Sequence, residues 1–258
     1  MTLNRAALKA NAKIDIRKTK PNAVLVTLVF SLIVLVLEIL SARINGNWYI
    51  ISEMLYAFYE GDYMFEMPQV WISPVAWLIL LAITLMTTML SAGYQLFALR
   101  AVRHASPSYG NLFDPFGMFF RILWLNILTG IFIWLWSMLF IIPGIVAAYR
   151  YRLAMYIRFE HPEFSALDCI RYSKQLMQGH KGELFVLDLS FLGWLFLCIV
   201  PFVSLWVNPY MEFTNAWFYI SLADGPAVGG PHVNYGGPGD APGRGSGERS
   251  DGKPPWEM

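Results

Sequence analysis

Residues 122–142 read ILWLNILTGIFIWLWSMLFII, residues 143–144 are Pro-Gly, and residues 145–157 continue as IVAAYRYRLAMYI. The first run contains no ionisable side chain. A helix rises about 1.5 Å per residue, so this run reaches roughly 30 Å, the thickness of a bilayer hydrocarbon core. Proline interrupts a continuing helix, and glycine tolerates the dihedrals of a tight reversal. Pro143 and Gly144 therefore predict an outer turn, with the second run returning through the bilayer. That run is short for a span and carries Arg150 and Arg152. The other reading is a kinked or partly re-entrant element, which protein would have to shield within the hydrocarbon.

The rest of the chain extends the same pattern. Of 258 residues, 56% are hydrophobic and 14% charged, against about 25% charged in an ordinary soluble domain. Apolar runs at about 23–40, 75–98, 122–142, 145–157, 184–203 and 205–222 predict an all-α, polytopic six-helix transmembrane bundle over residues 23–222. Residues 1–22 hold Arg5, Lys9, Lys13, Arg17, Lys18 and Lys20, with Leu3, Ala7, Ala10 and Ile14 at helical spacing. They read either as an amphipathic helix in the headgroup region or as the basic flank of the first span. Between residues 43 and 74, Glu53, Glu60, Asp62 and Glu66 outnumber Arg43, and Trp48 and Trp71 suit a loop at the interface. Residues 165–178 predict an amphipathic helix along the membrane surface or across the mouth of the bundle. Leu167, Ile170, Lys174 and Met177 would form one side, and Gly179 would stop it. After Asp224 the composition becomes Gly- and Pro-rich, so 223–258 is expected to be a disordered cytoplasmic tail.

Loop charges orient the bundle. Lys and Arg gather before residue 23, at Arg100 and Arg103, and at Arg158, Arg171, Lys174 and Lys181. Only Arg43 falls in the 43–74 loop. The positive-inside rule then puts both termini in the cytoplasm, and the basic 158–183 loop joins them only if the fourth segment crosses.

Four strings carry a family resemblance. They are LNRAALKANAK (3–13), LFIIPGIVAAYRYRLAMYI (139–157), SALDCIRYSKQLMQGHKGELFVLDLSFLGW (165–194) and VNPYMEFTNAWFY (207–219). Together, and in this order, they resemble the uncharacterised bacterial integral membrane proteins called domain of unknown function 975, over roughly residues 3–222. More remotely the pattern is similar to the membrane domain attached to some glycerophosphodiester phosphodiesterases, but no hydrolase domain accompanies it here. The resemblance implies a multi-span protein of the bacterial cytoplasmic membrane and assigns no activity.

Candidate chemistry rests on few residues. Asp188 in the predicted fifth span and Glu212 in the sixth must face the interior, pair or take a proton, because an unpaired buried carboxylate is costly. Arg150 and Arg152 are the available partners, and their i,i+2 spacing turns them to different sides of a helix. Structural pairing, a substrate or proton path, and lipid-headgroup binding by the arginines are the three uses these residues suggest. Cys169 and Cys198 are expected to be unpaired thiols. Asp114, His161 and His180 could meet on the cytoplasmic side, though nothing in their spacing requires it. No GxSxG, HExxH, CxxC or GxxxxGK[ST] pattern occurs, so no catalytic, cofactor or metal residue is assigned. The expectation is a non-enzymatic module that meets membrane phospholipid, anionic where its basic surfaces lie, or a membrane-protein partner or second copy of itself, and no nucleic acid. A small transporter or transporter subunit using Asp188 and Glu212 is the alternative, and a lipid-active enzyme the third.

Overall fold

In hydrocarbon a backbone must satisfy its own N–H and C=O groups, and the long apolar runs do so as helices. The structure, a computed structural model, describes residues 5–46, 73–197 and 201–224 and the single positions 50, 52 and 59, without the side chains at 195–197 and 201–202. The described helices are α1 (Arg5–Lys18), α2 (Ala23–Ile44), α3 (Pro74–Val102), α4 (Phe119–Leu139), α5 (Ile141–Tyr151), α6 (Ala154–Glu160), α7 (Ala166–Leu176), α8 (Lys181–Leu189), α9 (Leu192–Leu197) and α10 (Pro201–Ala223). Two 3₁₀ turns, Tyr109–Leu112 and Asp114–Met118, connect α3 to α4.

Local chemistry marks several boundaries. The Asn22 side chain accepts from Val24 N at 2.9 Å to begin α2. Ser73 accepts from Ala76 N at 3.2 Å ahead of Pro74, which opens α3 where a proline lacks no needed donor. Ser165 and Asp168 form a reciprocal capping box at α7, and Gly179, at φ +87°, turns the chain after it.

The long helices run antiparallel. Thr27, near the start of α2, shares a 2.7 Å hydrogen bond with Tyr94, late in α3, and Phe30 stacks on the same ring. Met89 and Ala92 of α3 pack with Ile122, early in α4. The hydrophobic core gathers at the end of the molecule where α2 begins, α3 finishes and α4 begins. Leu8 and Ala12 of α1, residues 94–102 of α3, Tyr156 and Ile157 of α6, Cys169 to Met177 around α7, and Phe213 to Leu222 of α10 contribute to it. Toward the other end the helices are bare: Leu35, Val36 and Ile39 on α2, Val75, Trp77 and Leu78 on α3, and Trp134, Leu135 and Met138 on α4 are all exposed.

The six-span expectation is wrong. Among the described residues three helices are long and apolar enough to cross a membrane: α2, α3, and α4 with its leading turn, Asp114–Leu139. In place of a span at 145–157 lies α5, whose 11 residues rise only about 16 Å; it ends at Arg152, and seven-residue α6 follows. In place of the span at 184–203 are α8, closed by Ser190, and the short α9. Helix α10 has 23 residues, but Asn208, Glu212, Thr214 and Asn215 dilute its apolar character and it is not among the three. Counting apolar residues along the chain ran across breaks that tertiary packing imposes.

The turn also differs from expectation. Helix α4 ends at Leu139, and Phe140, extended at φ −159° and ψ 152°, is the reversal. Pro143 and Gly144 lie in the first turn of α5, where proline is tolerated. Gly144 has a packing role, since a Cβ there would sit 2.1 Å from Ser137 Oγ. Helix α1 buries Leu8, Ala12 and Asp15 and leaves Ile14 exposed. Helix α7 likewise buries Cys169, Ile170, Tyr172, Ser173 and Leu176 but exposes Leu167. The acidic loop carboxylates, Cys198 and the tail beyond Asp224 lie outside the described residues.

Candidate functional site

The four polar residues singled out from sequence do not form one cluster. Arg152, just past α5, reaches Asp188 of α8 with Nη1 at 3.0 Å from Oδ2, and Tyr149 OH donates to the same oxygen at 3.0 Å. The pair is partly exposed, at 39% for Arg152 and 21% for Asp188. Glu212 accepts from Tyr156 OH at 3.2 Å, and no ion pair to it occurs among the described residues. Arg150 turns elsewhere: its carbonyl accepts from Ser173 Oγ at 2.8 Å, and its Nε is buried without a hydrogen-bond partner. One arginine thus lies on a carboxylate and the other does not.

The most buried charge cluster is one that spacing did not reveal. Arg103, capping α3, donates from Nε to Glu160 Oε1 at 2.9 Å and from Nη2 to Asp224 Oδ1 at 3.1 Å, while Nη1 pairs with Asp224 Oδ2. Tyr219 OH donates to Glu160 Oε2 at 2.6 Å, and its ring stacks on Tyr156 at 5.3 Å. Burial works against the guanidinium charge, but the hydrogen bonds and charges of Asp224 and Glu160 outweigh it and hold Arg103 above its ordinary range. Tyr172 is raised by burial and by the same two carboxylates. This clasp joins α3, α6 and the end of α10. The partners stand 57 and 121 residues from Arg103, beyond any helical period.

A second unanticipated joint fixes α1. Trp217 Nε1 of α10 donates to buried Asp15 at 2.8 Å, Lys9 Nζ donates to Ser190 Oγ at 2.6 Å and lies 4.3 Å from the Phe191 ring centroid, and Lys13 lies 5.5 Å from that of Tyr210. Burial, then the charges of Lys13 and Arg5, lower the Lys9 ammonium. The basic N-terminal segment is thus docked on α10 by one face.

Among the described residues Asp114, His161 and His180 do not come together. Asp114 pairs with Arg100 at 2.7 Å, His161 with Glu163 at 3.1 Å and His180 with Glu183 at 2.8 Å, so the three residues that could have met each have separate partners. Among the described residues no group of His, Cys, Asp and Glu could hold a metal ion. Cys169 is fully buried, and burial, first among its causes, pushes its thiol up to about 11, which suits an inert thiol.

One surface groove, of about 620 Å³, opens beside the start of α4 and is lined by Phe120, Arg121, Trp124, Arg158 and the segment from Pro162 to Ala166. Arg158 is 3% exposed; its Nη1 donates to the carbonyls of Phe164 and Pro162, while its Nε is buried without a partner. Arg121 Nη1 donates to the Pro162 carbonyl at 3.2 Å. The sequence marked Arg158 only as a loop charge.

Three long apolar helices and a charge-clasped core at one end define a polytopic helical membrane protein, and among the described residues no metal-binding group is found. The chain belongs to the family described as protein of unknown function (DUF975), uncharacterised bacterial integral membrane proteins, whose model matches residues 1–154 and 138–225. No curated protein and no solved structure matches it.

Proposed function

We propose that this chain is a non-enzymatic membrane module that acts by contact with membrane phospholipid, with both termini in the cytoplasm. The observation that carries the reading is the division of its surface. Arg103, Glu160, Asp224, Arg152 and Asp188 are engaged with one another across helices. The outward faces of α2, α3 and α4 offer large apolar side chains. Charges used to join helices are not available to line a route, and bare apolar faces are what lipid covers.

Orientation follows the basic residues. The start of α2, the end of α3 and the start of α4 share one end of the molecule. There lie α1, Arg100, Arg103 and Arg121, and Asp224 reaches the same end through Arg103. Arg43 is in the last turn of α2, at the other end. The positive-inside rule assigns the first end to the cytoplasm.

The test is native mass spectrometry of the full chain released from mixed phospholipid nanodiscs, paired with its unfolding midpoint in each lipid. Retained phospholipid and a composition-dependent midpoint are expected, unchanged in the D188N/E212Q double variant. A chain that carries no lipid and unfolds identically in every composition overturns the reading. A second reading, a small transporter or transporter subunit using Asp188 and Glu212, has one observation in its favour. Glu212 accepts from a tyrosine hydroxyl and, among the described residues, forms no ion pair, in a helix that carries Pro209 in its interior. Solute uptake into proteoliposomes driven by a pH gradient, and abolished by that double variant, would favour it.

A further inference from the structure

We infer that the groove at the start of α4 is a binding site for a phosphate group, carried there by a phospholipid headgroup. This rests on the lipid-contact reading above and names the place and chemistry of one contact. The groove brings together Arg121 and Arg158, and among the described residues neither has a carboxylate within ion-pair distance. Arg158 is held almost wholly out of solvent by two backbone carbonyls, with its Nε donor unmatched. A buried guanidinium that meets only neutral acceptors lacks the counter-charge that ordinarily accompanies such burial. A phosphate oxygen would supply both the charge and the missing acceptor, and guanidinium forks suit phosphate geometry.

The surroundings fit a lipid as the carrier. Phe120 and Trp124 flank the arginines, 82% and 59% exposed, at the end of a membrane-crossing helix where aromatic rings sit at headgroup depth. Arg121 stands in the first turn of α4, whose amino end has no side-chain cap, so its positive field adds to the helix dipole. Helix α7 also begins at the groove, with Ser165 and Ala166 on its wall, although Asp168 caps it. Glu163 is the opposing charge on the lining, and its Oε1 is turned to His161 Nδ1 at 3.1 Å. It lowers affinity without closing the site.

The experiment uses the full chain in nanodiscs of equal phosphatidylglycerol and phosphatidylethanolamine, with bound lipid counted by native mass spectrometry. Arg121 is exposed and makes a single hydrogen bond, so R121Q leaves the fold intact. Losing one charge-assisted contact should cut phosphatidylglycerol occupancy about tenfold, whereas E163Q should raise it severalfold. Inorganic phosphate titrated into detergent-solubilised protein separates the carriers. Competition that displaces lipid from the natural chain but not from R121Q supports a phosphate-reading site. Binding of inorganic phosphate with no lipid retained overturns the lipid carrier. Lipid retained equally by the natural chain, R121Q and E163Q overturns the groove while leaving the broader reading in place, and no lipid on any of them overturns both.

Discussion

Gly93 is the sharpest test of how α3 meets its neighbours. A Cβ built there would lie 2.2 Å from the Leu112 carbonyl oxygen, 2.6 Å from its carbon and 2.7 Å from its Cα. Ordinary contact begins near ~3.5 Å, so α3 and the turn at Tyr109–Leu112 must part by about 1 Å to admit a methyl group. All three atoms are backbone, which cannot rotate aside. Leu112 is fully buried, and Asn111 beside it bonds both Ser108 N and Asp114, so the turn is held from its other side. Overpacking of this kind costs about 1–3 kcal/mol, and the rigid backbone puts this case at the upper end. Replacing a helical glycine by alanine returns at most about 1 kcal/mol. G93A should therefore lose about 2 kcal/mol, read from the SDS-unfolding midpoint in mixed micelles by circular dichroism. Gly130 is the control, because nothing lies within 4 Å of its Cβ position; with only the helix-propensity gain in play, G130A should be as stable as the natural chain or up to about 1 kcal/mol more so. A G93A protein as stable as the natural one, or a G130A protein equally damaged, would refute the close approach of α3 to Leu112.

Other perturbations probe the joints that sequence spacing missed. R103Q strands buried Glu160 and should cost about 3–5 kcal/mol in the same titration, with R103K recovering only part because an ammonium cannot reproduce the fork. W217F removes the donor to Asp15 and should cost about 1.5–3 kcal/mol, with α1 becoming open to trypsin at Lys9 and Lys13 before the remainder of the chain. G144A should loosen the α4–α5 hairpin, and S137G should rescue it in part, by deleting the Oγ at 2.1 Å and the Cβ at 2.9 Å but not the Cα at 2.8 Å. In a C198S background, Cys169 should resist maleimide at pH 8 until the protein is denatured. With its thiol pushed up to about 11, about a thousandth is thiolate at that pH, and rapid labelling of the folded protein would contradict its burial.

Much of the backbone was legible because its determinants are local. The apolar runs of α2, α3 and α4, proline at the start of α3, the Ser165 cap and the left-handed Gly179 each act within a turn or two of themselves. The breaks at 152–153 and 190–191 were not legible, since no proline or glycine stands at either. Pro143 misled because proline terminates a preceding helix and equally well opens a following one. The inward face of α1, Leu8, Ala12 and Asp15, was not legible, because Asp15 is buried against a donor, Trp217, that lies 202 residues away. Of the site residues, Asp188 and Arg152 were within reach of a charge-pairing argument. Glu160 and Asp224 were not, because they stand in polar stretches where a charge ordinarily faces solvent.

The unequal distribution of packing along the helices bears on what the protein does. The core, the Arg103 clasp and the docked α1 all lie at the end where α2 and α4 begin. The far ends of α2 and α4 and the start of α3 expose apolar side chains that no described element covers. An interior that tight at one end resists rearrangement there, because packed cores deform little. Alternating access requires a bundle that can rock about a central site, with polar groups near mid-depth and freedom at both ends. Here the polar groups nearest that description, Arg152 and Asp188, are bonded to one another and to Tyr149. The firm end also carries the basic residues and the Arg121–Arg158 groove. A rigid, basic end joined to helices whose far ends expose apolar side chains is the arrangement on which the lipid-contact proposal rests, and one in which a rocking bundle would have to break packed contacts.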